Sequence, residues 1–286
     1  MKHLLTNSGG KDSQAVWLLV SKQSAASDYE VVFCDTGWEH VNVYKHNAYL
    51  AEWFGKEIKV LKNEKYPRGF IDLCISKKRV ASLKARFCTE ELKTKPMIDY
   101  ILSLNDDVSI YQGVRNDESE ARRNLKYKDE YFKFYFEPYG YDKKGKPKYH
   151  TYRKEEVFAY VDKYSVDVIR PIIKWTAEGT IAYSLEHKLK INPLYFSGAA
   201  RVGCYPCVHC RHSEIKMIAM NDPERIDMIA ELEAIIGRTF FPLVIYPMNF
   251  VIEGVKVYYA SIRKVVEYVM RDENQGKLFE HIRGGV

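Results

Sequence analysis

The sequence has no apolar stretch long enough to cross a bilayer, and a helical membrane span is thereby excluded. Its first residues, MKHLLTNSGG, hold too short an apolar run for a signal peptide, so a cytoplasmic location is expected. There is no internal repeat and no long low-complexity tract, which sets aside solenoids and extended disordered linkers. Neither sign of charge is in large excess: 44 basic residues against 38 acidic ones leave a net charge of +6. That balance permits an anionic partner without demanding one. What is present is enough chain, 286 residues at 46% hydrophobic, to bury a sizeable core.

Short β-rich runs alternate with helical patterns. HLLT reads as a strand and DSQAVWLLVSKQ as a helix. YEVVFCDT, KEIKVLK and DVSIYQGV read as further strands, and HVNVYKHNAYLAEWFG as a helix closed by Gly55. This alternation predicts an α/β fold, a parallel sheet with helices on both faces. Ligands of such sheets bind beyond the carboxyl ends of the strands, where Ser8–Ser13 and Asp35–Trp38 both fall. Later segments predict a helix at Lys154–Tyr164, a strand in VDVIRPI, and a helix from Thr176 to His187. A long helix over Glu214–Ile236 is expected to break near Pro223, with short strands and a last helix at Ser261–Arg271 closing the chain. Domain boundaries are expected at 1–214 and 215–286.

Between the first strand and the first helix lies SGGKDS. Glycines let a backbone approach a phosphate, and N–H groups at a helix N-terminus bind anions. Lys11 adds a point charge, and Ser8 and Ser13 add hydroxyl donors. The loop has neither the G-x-x-x-x-G-K-[ST] nor the G-x-G-x-x-G spacing, so it reads as a phosphate cradle of another kind.

SGGKDS resembles the signature of the PP-loop ATP pyrophosphatases, a superfamily with a Rossmann-like fold. It includes phosphoadenylyl sulfate reductases, the ATP-sulfurylase small subunit, tRNA thiolases and DNA phosphorothioation enzymes. FCDTGWEH, RFCTEELKTKP, GVRNDESEAR, RPIIKWTAEGT and NPLYFSGAARVGCYPCVHC follow in the order of the phosphoadenosine phosphosulfate reductase-like branch. The resemblance implies that Ser8, Gly9, Gly10, Lys11, Asp12 and Ser13 hold nucleotide phosphates, and that Asp35 and Thr36 line the nucleotide pocket. Two departures point away from sulfate reduction. Lys11 is the form found in members that cleave ATP to AMP and pyrophosphate. True reductases also carry a cysteine in a C-terminal ECG motif, and no cysteine follows Cys210 here.

Three of the six cysteines, Cys204, Cys207 and Cys210, stand at C-x2-C-x2-C spacing. Clustered thiols in a reducing compartment suggest a metal more than disulfides. A [4Fe–4S] cluster needs four ligands, and the resembling family pairs such a loop with an earlier cysteine, here Cys88. Zn²⁺ is the alternative, completed by Cys88, His209 or His212. Cys34 and Cys74 lie in apolar patterns and read as core residues. His40, His150 and His187 have no partner pattern and are expected to be structural.

Arg115, Arg122 and Arg201 are candidates to clamp phosphate or sulfonate oxygens, although Arg122 equally suits a solvated helix face. The stretch Leu125–Arg153 interleaves aromatic and basic residues and reads as an inserted hairpin. That mixture suits single-stranded nucleic acid, and it suits equally a hairpin with one packed aromatic face.

Lys11, Asp12 and Arg115 are expected to be catalytic in an ATP-dependent adenylylation, with Mg²⁺ on Asp12 or Asp35. The leading expectation is sulfur transfer to a nucleic acid, with a cysteine desulfurase-like protein as sulfur donor. A thiol-dependent reductase of adenylyl sulfate or phosphoadenylyl sulfate is the second expectation. A nucleotide-regulated nucleic-acid-binding module is the third.

Overall fold

The computed structural model describes residues 1–22, 28–82, 85–241, 251–252, 255–256 and 261–271. In chain order its elements begin β1 (Lys2–Thr6), α1 (Lys11–Ser21), β2 (Tyr29–Cys34), α2 (Val41–Phe54) and β3 (Ile58–Leu61). Next come α3 (Phe70–Lys77), the short α4 (Phe87–Thr89), α5 (Lys95–Leu104), β4 (Val108–Gln112), α6 (Glu120–Arg123) and β5 (Lys128–Glu130). The strands β6 (Gly140–Tyr141) and β7 (Pro147–Lys148) follow, then α7 (Lys154–Val161), β8 (Val166–Ile169) and α8 (Ala177–Glu186). Last are α9 (His212–Asn221), α10 (Pro223–Ile236), β9 (Val251–Ile252), β10 (Val255–Lys256) and α11 (Ile262–Met270).

The chain forms two compact units that do not follow its linear order. The first comprises Met1–Asp35, His40–Asn63 and Glu91–Pro193. The second comprises Thr36–Glu39, Glu64–Glu90 and Leu194–Val286.

The first unit is built on a six-stranded sheet of order β3-β2-β1-β4-β8-β5. All neighbours are parallel except β5, which runs antiparallel to β8. The expected α/β sheet is therefore observed. Successive side chains of a strand face opposite ways, and β1 shows the result. Leu4 packs with Met97 and Ile101 of α5 and Val157 of α7. Its neighbour Leu5 packs with Val16 and Trp17 of α1 and Leu50 of α2. Both core layers are thus anchored by consecutive leucines of one strand. Trp17 is fully buried, stacks on Phe54 at 4.5 Å and donates its indole N–H to the Tyr29 hydroxyl at 3.0 Å. Burying a side chain of this kind contributes about 1.5–3 kcal/mol, and the hydrogen bond keeps the indole N–H satisfied.

The boundaries of α2 have local causes. His40 caps its start by accepting from the Asn42 N–H, and Gly55 ends it at φ 60°, a left-handed conformation that glycine adopts without strain. The expected inserted hairpin at 125–153 is only partly observed. Its first strand, β5, joins the main sheet, and Phe132 and Tyr135 are buried in the core beside α5 and α7. Burial of those two rings outweighs local hairpin pairing. Only β6 and β7 form a small separate hairpin.

The second unit is mainly helical. The long helix expected over 214–236 divides at Asp222, which accepts from the Arg225 N–H while Pro223 opens α10. A proline suits a first helical turn but cannot continue a helix already running. The buried Glu233 accepts from the N–H groups of Phe240 and Ile262, tying the start of α11 to α10. The last expected helix is observed as α11. Of the expected closing strands, β9 and β10 pair with each other; the rest of that stretch and residues 272–286 lie outside the described residues.

Candidate functional site

The strand order reverses at β1: β2 and β3 lie to one side of it, β4 and β8 to the other. The loops after β1 and β4 therefore leave the sheet side by side at a switch point, the usual ligand position in open parallel sheets. Contacts across these two loops are direct. The Arg115 Nε, just past β4, donates to the Asp12 Oδ1 at 2.6 Å, and its Nη1 donates to Asp117 at 2.5 Å. A Cβ placed on Gly113 would stand 2.5 Å from the Ser13 nitrogen, so only glycine lets the two loops approach this closely. Gly113→Ala is expected to cost about 1–3 kcal/mol, the range for forced overpacking, read as a lower urea midpoint with an unchanged slope.

The glycine loop is held from behind by three asparagines. Asn7 accepts from the Gly9 N–H at 3.1 Å and donates to the Asn47 side chain at 2.9 Å. Asn192 donates to the Gly9 carbonyl at 3.0 Å. Gly9 sits at φ 72°, and a Cβ there would meet Asn47 and Val43 at 2.9 Å. The Ser13 hydroxyl donates within this network, to Asn7 or the Gly10 carbonyl, and accepts from the Ser8 N–H. Gly10 caps α1 in an extended conformation with no side-chain hydrogen bond. The cap residue itself thus brings no side chain to the first N–H groups of α1, and these carry the positive end of the helix dipole.

Lys11 and Arg115 are both buried beside these groups. The Lys11 ammonium lies 3.5 Å from Asp12. Burial works against the Arg115 cation, but Asp12, then Asp117 and Glu118, outweigh it and raise its pKa above the usual value. Glu178, in the first turn of α8, has its carboxyl pKa lowered by its own N–H and the Thr176 side chain, with smaller contributions from Arg115 and Lys11. Arg122 is half exposed and paired with Glu118, four residues earlier in the chain. At the end of β2, the buried Asp35 accepts from the Tyr44 hydroxyl at 2.8 Å and pairs with Lys62 at 2.9 Å. An open cleft beside it is lined by Phe33, Tyr44, Asn47, Ala48, Ile58 and Val60.

The remaining candidates belong to the second unit: Thr36, Arg201 and all four proposed metal-binding cysteines. The Thr36 hydroxyl donates to Glu39 at 2.7 Å and lies 3.7 Å from the Cys204 sulfur. Glu39 and Cys204 form a β-bridge, and the Trp38 indole donates to the Pro206 carbonyl at 3.0 Å. The segment 36–39 is thus stitched to the cysteine loop. Cys204, Cys207 and Cys210 line one small cavity together with Arg201 and Glu214. Burial, then Glu214 and Cys207, push the Cys210 thiol well above its usual pKa. Such a thiol stays protonated until a cation compensates its charge. His209 has its pKa lowered by burial and by Arg86 and Arg201, and its Nε2 is buried without a hydrogen-bond partner among the described residues. Cys88 lies on α4, beside Arg86. Among the described residues no three His, Cys, Asp or Glu side chains converge in metal-binding geometry. Cys74 is fully buried, and burial pushes its thiol up to about 12. Cys34 is half-buried, and its thiol donates to the Lys93 carbonyl at 3.6 Å.

Sequence reasoning missed Asn7, Asn47, Asn192 and Gly113. Gly113 and Asn192 stand inside motifs already singled out and Asn7 directly precedes one, but a residue that braces a loop from behind or lets one pass close by has no spacing of its own. The three expected structural histidines do bond or stack locally. His40 caps α2, His187 contacts the Tyr183 carbonyl, and His150 stacks on Tyr139.

The switch-point loops and the parallel sheet place the chain in the α/β class whose ligands sit at strand ends. The chain belongs to the phosphoadenosine phosphosulfate reductase domain family, whose description matches residues 2–210. It is 32% identical to an uncharacterized 37.8 kDa protein of Escherichia phage 186, over 84% of this chain and 79% of that one. A phosphoadenylyl-sulfate reductase from Candida auris, in a phosphate complex, is similar at a TM-score of 0.48 and 15% identity, over 72% of this chain and 83% of that one. The U34-tRNA thiolase of Methanococcus maripaludis with its [4Fe–4S] cluster is similar at 0.45 and 16%, over 95% and 82%. Among the described residues no helix is long and apolar enough to cross a membrane.

Proposed function

We propose that this chain is an ATP-using enzyme that forms AMP and pyrophosphate while transferring sulfur to a nucleic acid. The observation that carries the reading is the buried Lys11 at a helix N-terminus whose cap residue is a glycine, at the switch point of the sheet. In the proposed reaction an oxygen of the acceptor attacks the α-phosphorus. The bond to the bridging oxygen breaks, and pyrophosphate leaves with the electron pair. Lys11 and the amides of Gly10–Ser13 stabilise the charge gathering on that leaving group. A sulfur nucleophile then displaces AMP from the activated carbon.

Of the two carboxylates considered for Mg²⁺, Asp35 is the better supported. Its cationic partner, Lys62, is an exposed lysine that a metal ion can displace at little cost. Asp12 is committed to the buried Arg115, which makes Arg115 a positioning residue for the first turn of α1.

The donor set of the second unit fits a thiophilic metal by its chemistry: three thiols on one cavity, and a fourth on α4. Cys88, Cys204, Cys207 and Cys210 would hold a [4Fe–4S] cluster, or a zinc ion with His209 replacing one thiolate. When bound, a cluster held by all four thiolates would supply a one-electron redox centre and a cross-link between α4 and the cysteine loop.

The family description favours a second reading, a thiol-dependent reductase of phosphoadenylyl sulfate. One pair of assays separates the two. Pyrophosphate released from ATP and Mg²⁺ supports the first reading, and sulfite released from adenylyl sulfate or its 3′-phosphate supports the second.

A further inference from the structure

The small hairpin of the first unit has a surface that the phosphate loop does not use. Its turn is organised by Asp142, whose Oδ1 accepts from the N–H groups of Lys144 at 2.7 Å and Lys146 at 2.9 Å. Gly145 completes the turn at φ 77°. The carboxylate nearest to the lysines is therefore engaged by backbone. Lys143, Lys144, Lys146 and Lys148 are all exposed, and none has an ion pair or ring contact among the described residues. Four ammonium groups within six residues, with one acid already committed, repel one another until an anion arrives.

The same hairpin exposes aromatic faces. Tyr139, Tyr141 and Tyr149 are exposed by 50%, 65% and 39%. Tyr139 is held in place by His150, stacked at 4.9 Å, with Phe134 edge-on beside it. One held ring and two further exposed ones beside unpaired cations suit bases and phosphates in alternation, and each base stacked on a ring contributes about 1–3 kcal/mol. An acidic peptide would use the lysines and leave the rings without a role. The hydroxyls of Tyr139, Tyr141 and Tyr149 have no hydrogen-bond partner among the described residues. A ribose 2′-hydroxyl, both donor and acceptor, complements such groups, and DNA lacks it.

We propose that the hairpin 138–150 binds single-stranded RNA, with bases on Tyr139, Tyr141 and Tyr149 and phosphates on Lys143, Lys144, Lys146 and Lys148. The proposal names the acceptor class for the nucleic-acid modification proposed above, and its purpose, though not the binding itself, rests on that reading.

The test is fluorescence anisotropy of the full chain with a labelled uridine dodecamer over a salt series. Thymidine dodecamer, duplex RNA and polyglutamate serve as competitors. The uridine dodecamer is expected to bind with an affinity that falls as salt rises. Replacing the four lysines by glutamine should flatten the slope of log affinity against log salt by about 3, from about 0.7 per phosphate contact. Replacing them by arginine should preserve it. Tyr139→Ala and Tyr141→Ala should each weaken binding about 5- to 150-fold, with unchanged thermal melting. The proposal is overturned by absence of RNA binding, by equal slopes for the lysine and glutamine forms, by thymidine or duplex RNA competing as well as uridine, or by polyglutamate displacing the RNA. RNA binding without pyrophosphate release from ATP would sink the adenylylating reading and leave this one standing. ATP turnover without RNA binding would do the reverse.

Discussion

Lys11→Ala is expected to lower ATP-dependent pyrophosphate release by about 10²–10³-fold, the usual loss on removing one preorganised electrostatic stabiliser. The magnitude follows from where the charge sits. Lys11 is buried on the first turn of α1, where low dielectric strengthens its field and the helix dipole has the same sign. A charge so placed acts most on the leaving pyrophosphate, whose negative charge grows as the reaction proceeds. The loss should therefore fall on kcat more than on KM. Asp12 lies 3.5 Å from the ammonium and pairs with Arg115, so its removal would disturb two cations at once. The lysine variant is the cleaner experiment. Pyrophosphate release at the wild-type rate from Lys11→Ala protein would remove the catalytic role.

Cys88→Ser is expected to abolish metal binding and to lower the melting temperature of the anaerobically purified protein, whereas Cys34→Ser and Cys74→Ser should keep the metal. The four-cysteine assignment supplies the reason. Ligands at Cys88 and at 204–210 join two stretches of the second unit that are far apart in sequence, so binding energy becomes folding energy. The buried Cys210 thiol stays protonated on its own, and a bound cation is what would make the thiolate stable there. Cys34 and Cys74 differ: one donates to a backbone carbonyl, and the other is a fully buried thiol. Iron and acid-labile sulfide analysis, with an absorption spectrum, is the measurement. Full iron and sulfide content in Cys88→Ser protein would defeat the four-cysteine set. Zinc in the wild type, lost on His209→Ala, would replace the cluster with a mixed thiol–imidazole site, for which the neutral His209 ring is suited.

The sheet was legible because its signal is periodic. Leu4 and Leu5 sit on opposite faces of β1 and reach separate core layers, as alternation requires. The division of the helix at Pro223 was legible because proline acts locally. The destination of Phe132 and Tyr135 was not. Alternating aromatics look the same whether they pack within a hairpin or against α5 and α7, and only the tertiary core decides. At the site, Lys11 and Ser8–Ser13 could be found from glycine spacing and charge. Asn47 and Asn192 could not, because they brace the loop from other elements. Nor does a linear reading show that Thr36–Glu39 belongs with the cysteine loop, since what joins them is a β-bridge between Glu39 and Cys204.

That interleaving restricts how this protein can be dissected. The chain passes between its two units after Asp35, Glu39, Asn63, Glu90 and Pro193, so no single cut releases either one whole. A truncation at residue 210, where the family match ends, would keep the cysteine loop but delete α9, α10 and α11, with Ile215, Ile229 and Val265 of their buried core. Exchanging the second unit for that of a relative would mean transplanting three separate stretches in one step, one of them only four residues long. Recombination that moves contiguous blocks is therefore poorly suited to shuffling this unit.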